Sequence, residues 1–427
     1  MDFLTTSEKI KKLRNELFLK QEDLQDEKVT RGLISMIETG KRELSKNASS
    51  KIVHKFKQKA EKLNTVIYID EDYLMRSPKE DAEIYCLKKL EDDKVDKRTV
   101  REVFKISKQF ELLEIRAIVY FKLGEIFYNE KNFQQACDNY NKSIESYKDI
   151  NKNEKLGYIH WKIGSCKAST MLHDTAIEYY HLSQYYCSSY NDTKTSKLCL
   201  YSLANSYKIL NKIDLALEII EKYLHDCDEK ADYNLYIEAN GIKANCYSAK
   251  GDYDAAVNIY NFLLSKISDH KDTSIGYFYN NLGLNYYYKN DFKQSMKYFE
   301  MAEKFRFDFD NAKLAATLVE KAKVFIKQKQ YTEAIKSIEL GLIYAKEYKD
   351  KKYLLQGNYL LGNIYHDLND NDNLEKVYLN TAEFIKTNGD NNLISIYNKL
   401  AILYLEQRRL KECKNYLLLS GALCKDR

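Results

Sequence analysis

The sequence predicts an all-α protein, with a small helical domain at the N-terminus and an α-solenoid of stacked helical pairs after it. Helix breakers are scarce, since the 427 residues include one proline and 14 glycines. A small residue also returns every 39 or 40 positions over most of the chain. Such a spacing indicates repeated units, each of which packs only on its neighbours.

Each unit has two small positions, twelve residues apart. The first positions are Gly124, Gly164, Ala204, Ala244, Gly283, Ala322, Gly362 and Ala401. The second are Ala136, Ala176, Ala216, Ala256, Ser295, Ala334, Leu374 and Cys413. Small side chains let two antiparallel helices approach closely. In the fourth unit Tyr247 and Tyr260 should fill the space beside them, and residues 250–252 should make the turn.

The N-terminal 65 residues predict four or five short helices. The first is capped by Ser7, the second opens at Gln21, the third runs from near Thr30 to Gly40, and the fourth starts at about Ser49. Residues 66–80, which hold the only proline, predict a linker. Residues 81–116 predict a degenerate capping helix pair, and residues 117–427 an array of about eight repeats.

Charge and cysteine content narrow the function classes. Residues 1–62 hold 15 Lys and Arg against 10 Asp and Glu, which accounts for the whole net charge of +5. A basic N-terminal block favours an acidic partner, most commonly nucleic acid. The nine cysteines lie singly, as buried thiols do. Without a signal peptide or a long apolar run, we expect a cytoplasmic protein with no membrane contact.

One segment of the N-terminal block has a recognisable motif. Gln21–Leu24 followed by Thr30–Arg42 resembles the XRE-type, or lambda-repressor-like, helix-turn-helix, although the turn is one residue short and lacks glycine. Recognition helices in this class point their N-terminal side chains at base edges, and their flanks hold phosphates. The base-contact candidates are Thr30, Arg31, Ser35 and Met36, and the phosphate candidates are Gln21, Lys41 and Arg42. A degenerate module used for dimerisation or docking is the alternative.

The repeat pattern, small-x2-aromatic-x8-small-x3-aromatic, resembles the tetratricopeptide repeat, which is right-handed and has a shorter usual period. HEAT-type repeats have a period nearer 40 but lack this register. In tetratricopeptide arrays the first helix of each pair lines a groove. With the first small residue as position 8, positions 2, 5, 9 and 12 face that groove. The peptide-binding candidates there are Trp161, Tyr201, Asn205, Asn245, Asn280, Lys323, Tyr359 and Asn363.

An XRE-type domain joined to such an array resembles the peptide-pheromone-receptor regulators of Gram-positive bacteria, the superfamily with Rap, Rgg, NprR, PlcR and PrgX members, and is NprR-like in length. The resemblance implies a quorum-sensing transcription regulator, usually a homodimer on a palindromic operator, controlled by a short signalling peptide. Groove asparagines that hold the peptide main chain are also part of what it implies.

Enzyme motifs are lacking: the sequence has no GxxxxGK[ST], GxGxxG, HExxH or GxSxG. We therefore expect no catalytic residue, no metal site and no cofactor. Some members of the superfamily bind or dephosphorylate response regulators through helices ahead of the repeats. A repeat scaffold or phosphorelay modulator that does not read DNA is accordingly the alternative function.

Overall fold

The computed structural model describes residues 2–70, 72–91, 95–230, 232–388 and 393–425. These residues contain 21 α-helices and three short 3-10 helices. Within the same ranges no strand occurs, and an isolated bridge joins Asp26 and Val29. Two compact units span residues 1–210 and 211–427. The all-α prediction is confirmed.

The first unit opens with an N-terminal block of three α-helices around one apolar core. Its helices are α1 (Thr6–Glu16), α2 (Arg31–Glu38) and α3 (Lys46–Lys62), with a 3-10 helix at Gln21–Leu24. Its buried side chains include Ile10, Leu24, Ile34, Ile52 and Phe56. Helical periodicity in the sequence places these residues on one face of each helix.

Two predicted helix starts in this block are wrong. Thr5, and not Ser7, caps α1, because its hydroxyl accepts from the backbone of Glu8 while the Glu8 carboxylate accepts from the backbone of Thr5. Ser45 caps α3, so that helix begins at Lys46 and not near Ser49.

The second predicted helix is also shorter than expected. It is a single 3-10 turn that ends at Leu24, because Gln25 already has an extended backbone with φ −67° and ψ 151°. The bridge between Asp26 and Val29 then closes the turn before α2. The second predicted helix is therefore only four residues long, and the short turn without glycine follows it directly.

Residues 66–80, expected to be a linker, pack against the N-terminal block. Leu74 is fully buried in the core of that block. The Lys9 ammonium donates to the carbonyl oxygens of Tyr73 at 2.9 Å and Arg76 at 2.6 Å. Pro78 is the first residue of a helix that Ser77 caps. Several side chains of the expected linker, Ile67, Ile69, Tyr73 and Leu74, thus pack in the core of the N-terminal block.

The rest of the first unit holds the predicted capping pair and the first repeats. Its helices are α4 (Pro78–Leu90), α5 (Lys97–Gln109), α6 (Leu113–Asn129), α7 (Phe133–Asp149), α8 (Leu156–Ser169), α9 (His173–Tyr190) and α10 (Thr193–Ile209), with a 3-10 turn at Asn153–Lys155.

The second unit continues the helical pairs. Its helices are α11 (Ile213–His225), α12 (Tyr233–Lys250), α13 (Tyr253–Lys266), α14 (Ser274–Tyr288), α15 (Phe292–Phe309), α16 (Leu314–Lys327), α17 (Tyr331–Glu347), α18 (Lys351–Asp367), α19 (Asn371–Asn388), α20 (Leu393–Glu406) and α21 (Leu410–Lys425), with a 3-10 turn at Asn311–Lys313.

The small residues of the register lie where a large side chain of the second helix crosses the first. A β-carbon on Gly164 would lie 2.5 Å from the Tyr180 ring, and one on Gly283 would lie 2.9 Å from the Phe299 ring. Both aromatic residues come sixteen positions after their glycine. The 40-residue spacing therefore reflects a repeated contact between paired helices.

The turns inside the repeats also recur in register. Seven positions after each first small residue the backbone has a left-handed φ, between 54° and 82°. These residues are Lys131, Met171, Asn211, Gly251, Asn290, Lys329, Asn369 and Arg408. In most of these turns the next residue donates back to the helix, as Asn132 does to the Phe127 oxygen at 2.9 Å. This is the Schellman arrangement that ends helices.

The cysteines are unpaired, and seven of the nine are buried, while Cys227 is half-buried and Cys424 is exposed. The expectation of buried thiols is confirmed for those seven, but they are not all isolated, since Cys137 is hydrogen-bonded to Cys166 and Cys187 to Cys199. Across the described ranges, no helix is long and apolar enough to cross a membrane.

Candidate functional site

The predicted recognition helix is α2, and its N-terminal end faces solvent. Thr30 is its N-cap, with a hydroxyl that accepts from the Leu33 backbone at 3.2 Å. Ile34 and Ile37 anchor the opposite face in the core. Arg31 is exposed, as is Met36, while Ser35 is half-buried. Thr30 and Arg31 thus lie at the exposed N-terminal end of this short helix, and Ser35 and Met36 lie in its second half.

Among the described residues Arg31 has one ionic partner, which is itself on the surface. Its guanidinium lies 3.2 Å from the Glu22 carboxylate, with side-chain exposures of 64% and 58%. Exposed ion pairs of this kind contribute little stability. Arg31 can therefore exchange Glu22 for another acceptor at small cost. Lys41 and Arg42 are exposed just beyond α2, after Gly40 at φ 69°.

Gln21, a phosphate candidate, is half-buried and has a partner inside the N-terminal block. Its amide nitrogen donates to the Glu38 carboxylate at 2.7 Å. The Arg14 guanidinium holds the same carboxylate, with its Nε at 2.7 Å. Gln21, Arg14 and Glu38 together tie α1, the 3-10 turn and the end of α2 to one another. The structure therefore gives Gln21 an internal positioning contact.

In the first unit, the predicted groove face, meaning the register positions 2, 5, 9 and 12, carries an aromatic cluster. Trp161 donates through Nε1 to the Ser202 hydroxyl at 3.0 Å. The Tyr158 ring stacks on Trp161 with centroids 5.4 Å apart, and Phe121 lies 5.8 Å from Tyr158. Side chains from α6, α8 and α10 therefore meet on this face.

A lysine lies beneath these rings. The Lys162 ammonium is 5.3 Å from the Trp161 ring centre and 5.4 Å from that of Tyr158. It also lies 3.1 Å from the Glu125 carboxylate. Burial lowers the pKa of Lys162, but the Glu125 carboxylate and the nearby Tyr158 outweigh burial and raise it overall. The positive charge of Lys162 is therefore balanced within the cluster by the Glu125 carboxylate.

A cavity of about 450 Å³ opens beside this cluster. Its lining residues are Phe121, Tyr147, Glu154, Lys155, Tyr158, Ile159, Asp192, Lys194, Thr195 and Leu198. Tyr158 and Leu198 occupy register position 2, six residues before Gly164 and Ala204. Neither was among the sequence candidates. The register itself could have pointed to both of them, since position 2 was already assigned to the groove.

In the second unit, Asn245 lies between two tyrosine hydroxyls. Its carbonyl oxygen accepts from Tyr260 at 2.8 Å, and its amide donates to Tyr277 at 2.5 Å. The Tyr277 side chain remains 40% exposed. One amide hydrogen and one carbonyl lone pair of Asn245 are left beyond these two bonds.

Asn280 is not on an open face. It is 6% exposed, and its oxygen accepts from the Thr317 hydroxyl at 2.9 Å and from the Arg306 guanidinium at 3.4 Å. Arg306 also donates to the Thr317 hydroxyl at 2.6 Å and to the Lys313 carbonyl at 2.9 Å. The placement of Asn280 as an exposed groove residue is therefore wrong, because this buried polar cluster holds it.

The remaining groove candidates differ in their surroundings. Lys323 forms an ion pair with the buried Glu320 carboxylate. The ammonium of Lys399 lies 5.2 Å from the Tyr359 ring centre, and Asn363 is exposed. On α10 in the first unit, Tyr201 and Asn205 are half-buried. The candidates thus fall into a first-unit group with Trp161 and a second-unit group with Asn245.

In the described part of the chain, no cluster of His, Cys, Asp or Glu is arranged to hold a metal ion.

Comparison with known proteins identifies tetratricopeptide repeats in the chain. Tetratricopeptide-repeat family models match residues 119–149 and 237–264. The sequence matches no curated protein sequence. Apo NprR, a quorum sensor from B. thuringiensis, has a similar structure, with a TM-score of 0.55 and 18% identity over 81% of this chain and 98% of that one.

Two further solved structures resemble the chain more distantly. NprR in complex with its cognate peptide NprX has a TM-score of 0.48 and 18% identity, over 81% of this chain and 99% of that one. The apo form of RapI has a TM-score of 0.46 and 16% identity, over 63% of this chain and 97% of that one. At such identities the likeness to apo NprR establishes the tetratricopeptide-repeat fold.

Proposed function

We propose that this chain is a transcription regulator that binds DNA through its N-terminal block and responds to a short peptide held on its repeats. The observation that carries the proposal is the first-unit aromatic cluster of Phe121, Tyr158 and Trp161 beside an open cavity of about 450 Å³. A cavity of that volume is in the range of ligand sites. Its position on the predicted groove face suits an extended peptide.

The polar side chains near the aromatic residues suit a peptide main chain. Amide side chains can donate to a carbonyl oxygen and accept from an N–H at once. Asn205 and Asn363 lie at register position 9 of their repeats and are half-buried and exposed respectively. Asn245 keeps unused capacity beyond its two tyrosine bonds. We therefore keep these three, with Trp161, Tyr201, Lys323 and Tyr359, as peptide contacts, and leave Asn280 out.

The DNA-binding half rests on α2 and the residues after it. Thr30 and Arg31 at its N-terminal end, with Ser35 and Met36 further along the helix, would read base edges. Lys41 and Arg42 supply charge for phosphates. Gln21 acts indirectly, since its bond to Glu38 fixes the orientation of α2. We further propose a homodimer, because paired recognition helices would match a palindromic operator.

A second candidate function has an observation in its favour. The N-terminal block is anchored to the capping pair, because Phe3 contacts Tyr85 and Phe110 with ring centroids 5.8 Å and 5.4 Å away. Lys9 forms a buried ion pair with Asp81 of α4. An N-terminal block fixed in this way also suits a scaffold or phosphorelay modulator, which binds a response regulator and reads no DNA.

A mobility-shift assay on the DNA upstream of the gene separates the two functions. We expect sequence-preferring binding at moderate salt, weakened about five- to 150-fold by Arg31→Ala, since a bidentate contact to a base is worth about 1–3 kcal/mol. Lys142→Ala, an exposed lysine on α7, is the matched control and should leave the affinity unchanged. Binding to all sequences alike, or none, would rule out the regulator and favour the scaffold.

A further inference from the structure

The cavity beside the first-unit cluster has a composition that selects among peptides. Its floor is apolar and aromatic, from Phe121, Tyr147, Tyr158, Ile159 and Leu198. Ile159 and Tyr147 are 2% and 6% exposed, so they form the base of the cavity. Phe121, Tyr158 and Leu198 are half-buried and reach its mouth. An apolar floor of this kind gains most from a large, flat side chain.

The ring arrangement favours an aromatic occupant in particular. Phe121 and Tyr158 meet at an interplanar angle of 46°, and Tyr158 stacks on Trp161 at 30°. A ring that entered the cavity would extend this series with an offset or edge contact, the geometries that aromatic pairs prefer.

The rim of the cavity carries both signs of charge, but they are not equally available. The Asp192 carboxylate already accepts from the Thr195 backbone at 3.0 Å, as the cap of α10. Glu154 is exposed, and so are Lys155 and Lys194. In the described parts of the chain, neither lysine has an ion-pair partner. The four side chains carry two charges of each sign, so the rim has no net charge, but both ammonium groups remain free to pair with an anionic group of a ligand.

We propose that this cavity binds an aromatic side chain of the peptide whose neighbouring group is a carboxylate. The ring lies on Phe121, Tyr158 and Leu198, and the carboxylate lies between Lys155 and Lys194. This inference rests on the proposed peptide-binding function and narrows the class of ligand. It adds Tyr158, Leu198 and the two lysines to the residues that determine specificity.

Selection from a phage-displayed library of random heptapeptides tests both the proposed peptide binding and the proposed occupant of the cavity. For the full-length wild-type chain we expect enrichment of peptides with Phe, Tyr or Trp next to Asp or Glu. Leu198→Glu puts a charge on the apolar floor and should abolish the aromatic preference, with at least a tenfold loss of affinity for a selected peptide. The matched control Leu182→Glu, at a 45% exposed position on α9, should keep both.

The lysines give an independent readout that does not depend on the fold tolerating Leu198→Glu. The double variant Lys155→Ala/Lys194→Ala, at two exposed positions, should keep the aromatic preference and lose the acidic one. Binding of a selected peptide can be followed by the emission of Trp161, the only tryptophan in the chain, because Tyr158 stacks on it.

The outcomes separate this inference from the proposed function. If wild type enriches peptides but Leu198→Glu and the double-lysine variant select the same sequences with equal affinity, the cavity assignment is wrong and peptide binding stands. If wild type enriches no peptide at all, both are overturned. Loss of the two preferences in the two variants, with the Leu182→Glu control intact, supports the inference.

Discussion

The ring of Tyr180 occupies the space that a β-carbon on Gly164 would need, with Cε1 only 2.5 Å from it. The backbone oxygen of Ala176, the second small residue of the same repeat, lies 3.2 Å from that position. The two small residues of a repeat and the aromatic residue after them thus form one contact. Its recurrence explains why the register is retained along the array.

Gly164→Ala should therefore destabilise the chain by about 1–3 kcal/mol, because the added methyl group forces the Tyr180 ring to move in a packed core. Gly421→Ala is the control. It lies in a helix with nothing within 4 Å of an added β-carbon, so it should gain a few tenths to about 1 kcal/mol through helix propensity. Urea unfolding measures both. Equal effects of the two substitutions would contradict the packing explanation.

Substitutions at the left-handed turn residues should change stability in opposite directions. Met171 has φ 62° and is 79% exposed, so it carries the conformational cost of a side chain in that region without a compensating contact. Met171→Gly should stabilise the first unit by about 0.5–1 kcal/mol. Gly251→Ala, at φ 82°, should destabilise the second unit by about 1 kcal/mol. Thermal melting of both variants would test this, and opposite signs to those stated would refute it.

The buried Arg306 should make its neighbours sensitive to substitution. Burial lowers the pKa of Arg306, which donates to neutral oxygen atoms of Thr317, Asn280 and Lys313. Thr317→Val removes a hydroxyl that serves both Arg306 and Asn280 and should cost about 1–3 kcal/mol. Thr387→Val, at an exposed position, should change stability by less than about 0.5 kcal/mol.

A double-mutant cycle between Thr317→Val and Arg306→Met identifies the source of that cost. If it arises from a stranded guanidinium, the two substitutions together should cost clearly less than their sum. Strict additivity, measured by urea unfolding, would show that the hydroxyl and the guanidinium do not depend on each other.

The buried His160 should make the free energy of unfolding depend on pH. It is 8% exposed and stacks on Tyr186 at 5.4 Å. Burial, with a smaller contribution from Lys148, lowers its pKa from 6.5 to about 4. The unfolded chain therefore takes up the proton first as the pH falls through 6.5. The free energy of unfolding should then decrease between pH 6.5 and about 4, by about 2–3 kcal/mol from this group.

His160→Phe should remove that part of the acid sensitivity, since a phenyl ring retains the stacking and takes up no proton. His366→Phe, at an exposed position, is the control and should leave the wild-type dependence in place. Urea unfolding at several pH values, followed by the emission of the adjacent Trp161, measures the slope. An unchanged slope in His160→Phe would contradict the assignment.

Substitution of the two candidate peptide contacts Asn245 and Asn363 should give different phenotypes. Asn245→Ala strands the hydroxyls of Tyr260 and Tyr277 and should destabilise the second unit by about 1–3 kcal/mol even without a peptide. Asn363→Ala, on the exposed face of α18, should leave stability within about 0.5 kcal/mol of wild type and weaken the binding of a selected peptide. Calorimetry with and without peptide distinguishes the two. A stable Asn245→Ala variant would show that its tyrosine bonds are dispensable.

The sequence anticipated features that depend on local chemistry. The turn at residues 250–252, where Gly251 has a left-handed φ, follows from a glycine signal that acts within a few residues. The buried faces of α1 and α2 follow from helical periodicity. Where local signals compete, the prediction misses the boundary: the predicted cap Ser7 lies two positions after Thr5, and the predicted start near Ser49 lies three positions after Lys46.

What the sequence determined by itself was the register, and with it the helical pairs and the side of each first helix that holds Trp161, Asn245 and Asn363. Only the tertiary structure decided which polar groups remain available. Asn280 is held by Thr317 and Arg306 from two other helices, and Gln21 by Glu38, because hydrogen-bond partners distant in sequence leave no periodic signal. The cavity between Phe121, Tyr158 and Leu198 was likewise not predictable from the sequence, because it is the space left where three helices meet.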